Sequence, residues 1–231
     1  MLFIALASQA AQVRHTIFFD LEPHSKLSVA FIRQGVGQAQ IVQRATIAAG
    51  ATLHLLNMTK GSAEQSFVGE VSGVGGECSV DWIAHMTGKD RCSLTARTVF
   101  AARDGRGTMT LRGVAEGRSQ IKSLGSIEIP QSGSGTQTRL EQRILLLDAG
   151  ARAEAIPKLK IEIDDVQVSH AAAVSCIHPE DLFYLQSRGI GPKKARALLI
   201  EGFLGELMDR VEGEELREMI RKGQSRHVSQ L

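Results

Sequence analysis

His170, Cys176 and His178 lie within one short stretch, and imidazole and thiolate are the side chains that most readily hold zinc or iron. Their spacing, H-x5-C-x-H, matches no common zinc arrangement. On extended backbone Cys176 and His178 share one face with Val174. Other thiols and imidazoles, Cys78, Cys92, His54 and His85 among them, are distant in sequence. A self-contained zinc site is therefore not expected. A small buried thiol and a histidine beside a helix start account for Cys176 and His178.

A few residues later RGIGPKKARALLI fits a helix-hairpin-helix pattern, in which glycines let backbone amides approach a phosphate and lysines follow. From Pro179 onward, however, nine basic residues are balanced by nine acidic ones. Counterion release needs a local excess of positive charge, and the segment has none. The same residues read better as one helix stopped at Gly189 and another opened by Pro192. DNA binding through residues 189–194 is kept as the alternative expectation. Enzyme signatures are thin: there is no GxSxG, no Walker-type loop and no dinucleotide loop. The pair Asp164 and Asp165 reads as a solvated turn. A carbohydrate-processing β-helix would need a row of carboxylates along a groove, which the sequence does not display.

The elements that must position these residues divide into two textures. Of 23 glycines, 17 fall at or before Gly150, punctuating segments that alternate with the two-residue period of half-buried strands. Residues 16–19, 27–32, 108–114, 126–129 and 159–163 are examples. No helical period of adequate length precedes residue 178, so a dozen or so strands form a sandwich, a barrel or a wound β-helix. The gaps are irregular, with no strict short repeat. Ser, Thr and Gln on presumed outer positions favour a solenoid.

Beyond His178, Pro179 with Glu180 and Asp181 starts a helix. Leu182, Phe183 and Leu185 give it an apolar face. Pro192 opens a longer helix with Ala195, Leu198, Leu199, Phe203, Leu207 and Val211 on one stripe. A third short helix is expected over 214–221. The expected division is a β body over 1–177, a helical domain over 178–223 and a tail over 224–231.

Composition bounds the function. Hydrophobic residues at 43% and charged residues at 23% describe a globular chain rather than a disordered one. A net charge of +2 supplies no field that would draw it to nucleic acid or anionic lipid. Aromatics at 4% call for an aliphatic core. Three scattered cysteines argue against a disulfide framework and for a reducing compartment. The apolar start MLFIALASQAAQV lacks a basic n-region and is too short to span a bilayer; a buried edge strand is expected there. The expectation is a cytoplasmic protein with no membrane partner.

The run PKLKIEIDDVQVSHAAAVSCIHPEDLFYLQSRGI, followed by ARALLIEGFLGELMDRV, strongly resembles the C-terminal end of the SufB/SufD proteins, scaffold subunits of Suf iron–sulfur cluster assembly. The pattern is P-x-L-x-I-x-x-D-D-V, S-H-x-x-x-V, L-F-Y-L-x-S-R-G-I and A-x-x-L-L-I-x-G-F. ILLLDAGARAEAIP and the glycine-spaced strands from about Gly50 are similar too. The likeness covers roughly residues 40–212.

The resemblance implies a right-handed parallel β-helix followed by a small helical domain. It implies no enzyme of its own, but a complex with the Suf ABC ATPase docked on the C-terminal helices. Leu182, Phe183, Tyr184, Arg188, Leu199 and Phe203 are the docking candidates. It also implies pairing of two β-helices, with a SufB/SufD-type partner or as a homodimer. The family's functional histidine falls on His170, which could take iron if a partner chain brings a thiolate; the other reading is a hydrogen-bonded cap on the last coil. Any iron–sulfur cluster would be transient and at a subunit interface, with none tightly bound. The SufB type has glutamate after that histidine and an essential cysteine in the strand before ILLLD. Here Ala171 to Ala173 follow His170, and residues 136–148 contain no cysteine. The chain is therefore nearer SufD. It is expected to be a short form without the helical N-terminal region common in the family.

Overall fold

The computed structural model describes residues 2–8, 12–35 and 37–208. Thirteen strands run in chain order: β1 (Leu2–Ser8), β2 (Gln12–Leu21), β3 (Lys26–Gly35), β4 (Gln38–Ile47), β5 (Thr52–Lys60), β6 (Ala63–Val71) and β7 (Glu77–Met86). They continue as β8 (Arg91–Phe100), β9 (Arg106–Ala115), β10 (Gln120–Ile129), β11 (Gln137–Leu146), β12 (Arg152–Ile161) and β13 (Gln167–Cys176). Two helices follow, α1 (Pro179–Ser187) and α2 (Pro192–Met208). The odd strands form one sheet, in the order β1-β3-β5-β7-β9-β11-β13, and the even strands a second, β12-β10-β8-β6-β4-β2. Every pairing with a recorded register is parallel. The chain alternates between the sheets and winds a parallel β solenoid of about six turns. Two compact units are distinguished, Met1–Ser175 and Cys176–Leu231.

The coil length varies. Stacked positions in the odd sheet are 27 residues apart from Leu2 to Val29 and 26 from Val29 to Leu55. They are 25 apart from Leu55 to Val80, 29 from Val80 to Met109 and 31 from Met109 to Leu140. The strands keep nearly one length and the corners absorb the difference. This is why no fixed repeat is visible in the sequence. Those five residues, Val29, Leu55, Val80, Met109 and Leu140, form one buried interior column. Removing each such side chain from water stabilises the coil by about 1.5–3 kcal/mol.

Several expectations need correction. β1 is an edge strand as expected, with Leu2 49% exposed and Ile4 partly buried against the core. The strands are mostly nine or ten residues long rather than short. Polar residues are not confined to the outside, since Gln43, Asn57, Thr59, Gln65 and Gln142 face the interior. Alternation is blurred in the odd sheet because its other face is buried too, at Leu56, Ile83 and Val114. Such strands read as continuous apolar runs. In α2 the buried residues are Ala195, Leu204 and Leu207, whereas Leu198 is 40% exposed. The expected stripe therefore missed Leu204 and misplaced Leu198. Val211, the expected helix over 214–221 and the expected tail lie outside the described residues.

One corner shows how tightly the coils close. The Arg33 guanidinium, with the residue 5% exposed, donates to the Gly35 carbonyl at 2.9 Å and also to the Lys60 and Gly37 carbonyls. Gly61 stands over it with φ of 84°, and a Cβ there would meet the Gly35 oxygen at 2.3 Å and Arg33 Nη1 at 2.4 Å. Left-handed backbone alone costs an L-residue about 1–2 kcal/mol, and the backbone clash adds to it. Gly61→Ala is expected to lower stability by about 2 kcal/mol or more, read as a shift in the urea midpoint; an unshifted midpoint would show that this corner yields.

Candidate functional site at the C-terminal end of the solenoid

Each coil begins with a backbone bond that sets its register. Gln137 N–H donates to the Gly105 carbonyl at 2.9 Å, and Gln137 stands opposite Arg106. Gln167 N–H donates to the Thr136 carbonyl at 2.9 Å in the same manner. By that pattern Gln167 stands opposite Gln137 and His170 opposite Leu140. His170 thus continues the column that runs from Val29 to Leu140, and strand alternation puts it on the face of Val168, which packs against the core. Among the described residues no strand follows β13 in its sheet, and the imidazole is exposed where the previous five positions are buried. It has no hydrogen-bond partner among the described residues.

Apolar residues of the last two strands are left partly exposed. β12 and β13 are the last strands of their sheets, so each presents an edge that no strand covers among the described residues. Ala153, Ala155, Leu159, Ile163, Val166 and Val168 are only partly buried against the core. Ile156, Ile161 and Val174 are 39%, 40% and 44% exposed. These were not singled out from sequence. The available signal was that a strand alternating like its predecessors becomes half-exposed when it is the last one.

Cys176, expected as a buried thiol, is exposed at the end of β13, six residues beyond His170, which is about 20 Å along an extended strand. His178 is extended at the N-cap of α1, without a side-chain cap bond. The three residues are not brought together, and among the described residues no group of three or more His, Cys, Asp or Glu is placed to hold a metal. The distant cysteines do not help. Cys78 and Cys92 are fully buried, and burial pushes both thiols up to about 12, so neither supplies a thiolate at neutral pH. His54 lies 3.6 Å from Glu77 and His85 2.5 Å from Glu116, both away from the end coil. Asp165 forms a turn contact, accepting from the Ser134 hydroxyl at 2.7 Å.

The helical candidates separate by exposure. Phe183 is 72% and Tyr184 58% exposed, side by side on α1, with Arg188 Cζ 5.3 Å from the Tyr184 ring centroid. Leu182, Leu199 and Phe203 are half-buried. Acidic Glu180 and Asp181 occupy the first turn of α1, where the helix dipole favours them. Gly189, with φ of 82°, follows the helix end, and Pro192 is the first residue of α2. The glycine and proline of the 189–194 segment thus stop and start helices. Lys193 and Arg196 each have a partner within the chain.

Residues 5–203 match the family model described as SUF system FeS cluster assembly, SufBD core domain. The chain belongs to the SufB/SufD family. A SufBD family protein of Mycobacterium leprae is 41% identical over 98 residues, which is 42% of this chain and 25% of the relative. SufD of Bacillus subtilis is 30% identical over 133 residues, 58% of this chain and 30% of the relative. A SufBD family protein of Mycobacterium bovis is 25% identical over 188 residues, 80% of this chain and 22% of the relative. The SufB/SufD match therefore spans about a quarter of the length of these relatives. No helix among the described residues is long and apolar enough to cross a membrane.

Proposed function

We propose that this SufB/SufD-family chain is a non-catalytic scaffold subunit of a Suf-type iron–sulfur cluster assembly complex. It pairs through the C-terminal end of its β-helix with another SufB/SufD-type subunit or a second copy, and it binds the Suf ATPase through α1 and α2. The observation that carries the reading is the open last coil. Two uncovered strand edges, half-exposed apolar residues and His170 lie together there. An uncovered edge is a template for pairing with another chain, and Ala171 to Ala173 offer small side chains beside that edge. On this reading His170 supplies a neutral imidazole to a nascent cluster at the pair interface and the partner supplies the thiolate, because the thiols of Cys78 and Cys92 are buried. Phe183, Tyr184 and Arg188 supply the exposed part of the ATPase contact, with Leu182, Leu199 and Phe203 behind them.

The test is co-expression with the neighbouring ATPase and a SufB-type partner, followed by copurification and iron analysis. Both proteins are expected to copurify. His170→Ala should bring bound iron to background while leaving both associations intact, because an exposed side chain contributes little to folding. Failure to capture any ATPase would overturn the docking claim, and iron unchanged in His170→Ala would remove His170 from the site.

A further inference from the structure

The solenoid interior is largely apolar, but it carries a polar cluster in its earlier coils. Gln43 of β4, Asn57 and Thr59 of β5, Gln65 of β6 and Trp82 of β7 face inward, and none is more than 3% exposed. They are neighbours. Asn57 stands opposite Trp82 in the odd sheet, and Gln43 stands opposite Phe67 in the even sheet. The Phe67 and Trp82 rings meet edge to face with centroids 6.4 Å apart. Two hydrogen bonds cross the lumen between the sheets. Gln43 Nε2 donates to Asn57 Oδ1 at 2.8 Å, and the Thr59 hydroxyl donates to Gln65 Oε1.

Each amide thereby uses one end only. Gln43 Oε1, Asn57 Nδ2, Gln65 Nε2 and Trp82 Nε1 are buried with no protein partner. Turning the amides over changes which end is free but not how many: a reversed Gln43–Asn57 pair frees one nitrogen and one oxygen again, and a reversed Gln65 frees its oxygen. The indole nitrogen is a donor in every case. Four dry orphans in one layer would consume a large part of a typical domain's stability. An apolar guest cannot relieve them, and a group that both donates and accepts can.

We propose that this layer is an internal hydration site, in which one or more ordered waters bridge the free ends of Gln43, Asn57, Gln65 and Trp82. Water supplies two acceptor and two donor positions, and buried waters typically serve two to four such groups. Together with the two cross-lumen bonds, the bound water ties the even sheet to the odd sheet and fixes which coil faces which. The site is built from interior residues of the second, third and fourth coils and is independent of the exposed last coil.

Trp82 is the only tryptophan, so its indole N–H is a single, assignable nuclear magnetic resonance probe. In water-selective spectra of the full chain it should show a cross-peak to water with the sign of a long-lived bound molecule. The peak should persist in Thr59→Val, which removes the one hydroxyl of the layer that could relay exchange. Absence of the peak in the wild-type chain, or its loss in a folded Thr59→Val variant, overturns the proposal. Should Thr59→Val fail to fold, wild-type crystals decide: density for a water about 3 Å from Trp82 Nε1 supports the site, and a dry layer overturns it.

Discussion

Glu141→Gln should destabilise the folded chain by about 3 kcal/mol at neutral pH. Glu141 is 7% exposed; its carboxylate accepts from Arg139 Nη2 at 2.7 Å and forms ion pairs with Arg112 Nη2 at 2.9 Å and Arg143 Nε at 2.8 Å. Arg139 and Arg143 are half-exposed and contribute little. The Arg112 side chain is 2% exposed, so losing the carboxylate charge leaves a buried guanidinium poorly compensated. Burial pushes the Glu141 carboxyl up. The charges of Arg112 and Arg143 and the bonds from Arg112 and Arg139 outweigh that and hold it below its ordinary value of 4.5. A carboxyl lowered in the folded state stabilises it fully above the unfolded value and stops doing so as pH falls through the folded one. The gap between wild type and Glu141→Gln in urea unfolding should therefore be full at pH 7 and close progressively in acid below about pH 4. A gap that does not vary with pH would show that the lost term is packing rather than charge.

Phe183→Ser with Tyr184→Ser should abolish capture of the Suf ATPase while leaving the fold intact. Both rings are mostly exposed, so their removal opens no cavity and should change stability by no more than about 1 kcal/mol. The stacking of Arg188 over Tyr184 contributes about 0.5–1 kcal/mol at an exposed site, and its loss is the main intramolecular cost. Two exposed aromatics beside an arginine have the composition of an interface hot spot, where truncation costs 2 kcal/mol or more. That corresponds to roughly a 30-fold or greater loss of affinity. Unchanged ATPase capture by a folded double variant would move the docking surface elsewhere.

Much of this protein was legible in its residues. Glycine punctuation and two-residue alternation determined an all-β body before residue 178, because a turn needs glycine or a polar residue and a half-buried strand must alternate. Pro179, Glu180, Asp181 and Pro192 marked both helix starts, since proline and acids suit a first helical turn. The S-H-x-x-x-V and L-F-Y-L-x-S-R-G-I patterns carried the SufB/SufD likeness, and through it the solenoid, which periodicity alone left among three architectures.

What the residues left undecided concerns which groups meet. Coils of 25 to 31 residues hide the repeat, so sequence distance does not say that Val29 stacks under Leu55 or Asn57 beside Trp82. Polar Gln43, Gln65 and Gln142 read as outer residues because nothing local reveals a partner across the lumen. His170, Cys176 and His178 looked like one group because they are close in sequence, but a strand spreads residues by about 3.3 Å each and disperses them. His170 is exposed for a reason no window of sequence contains: it continues a buried apolar column into β13, the last strand of its sheet among the described residues.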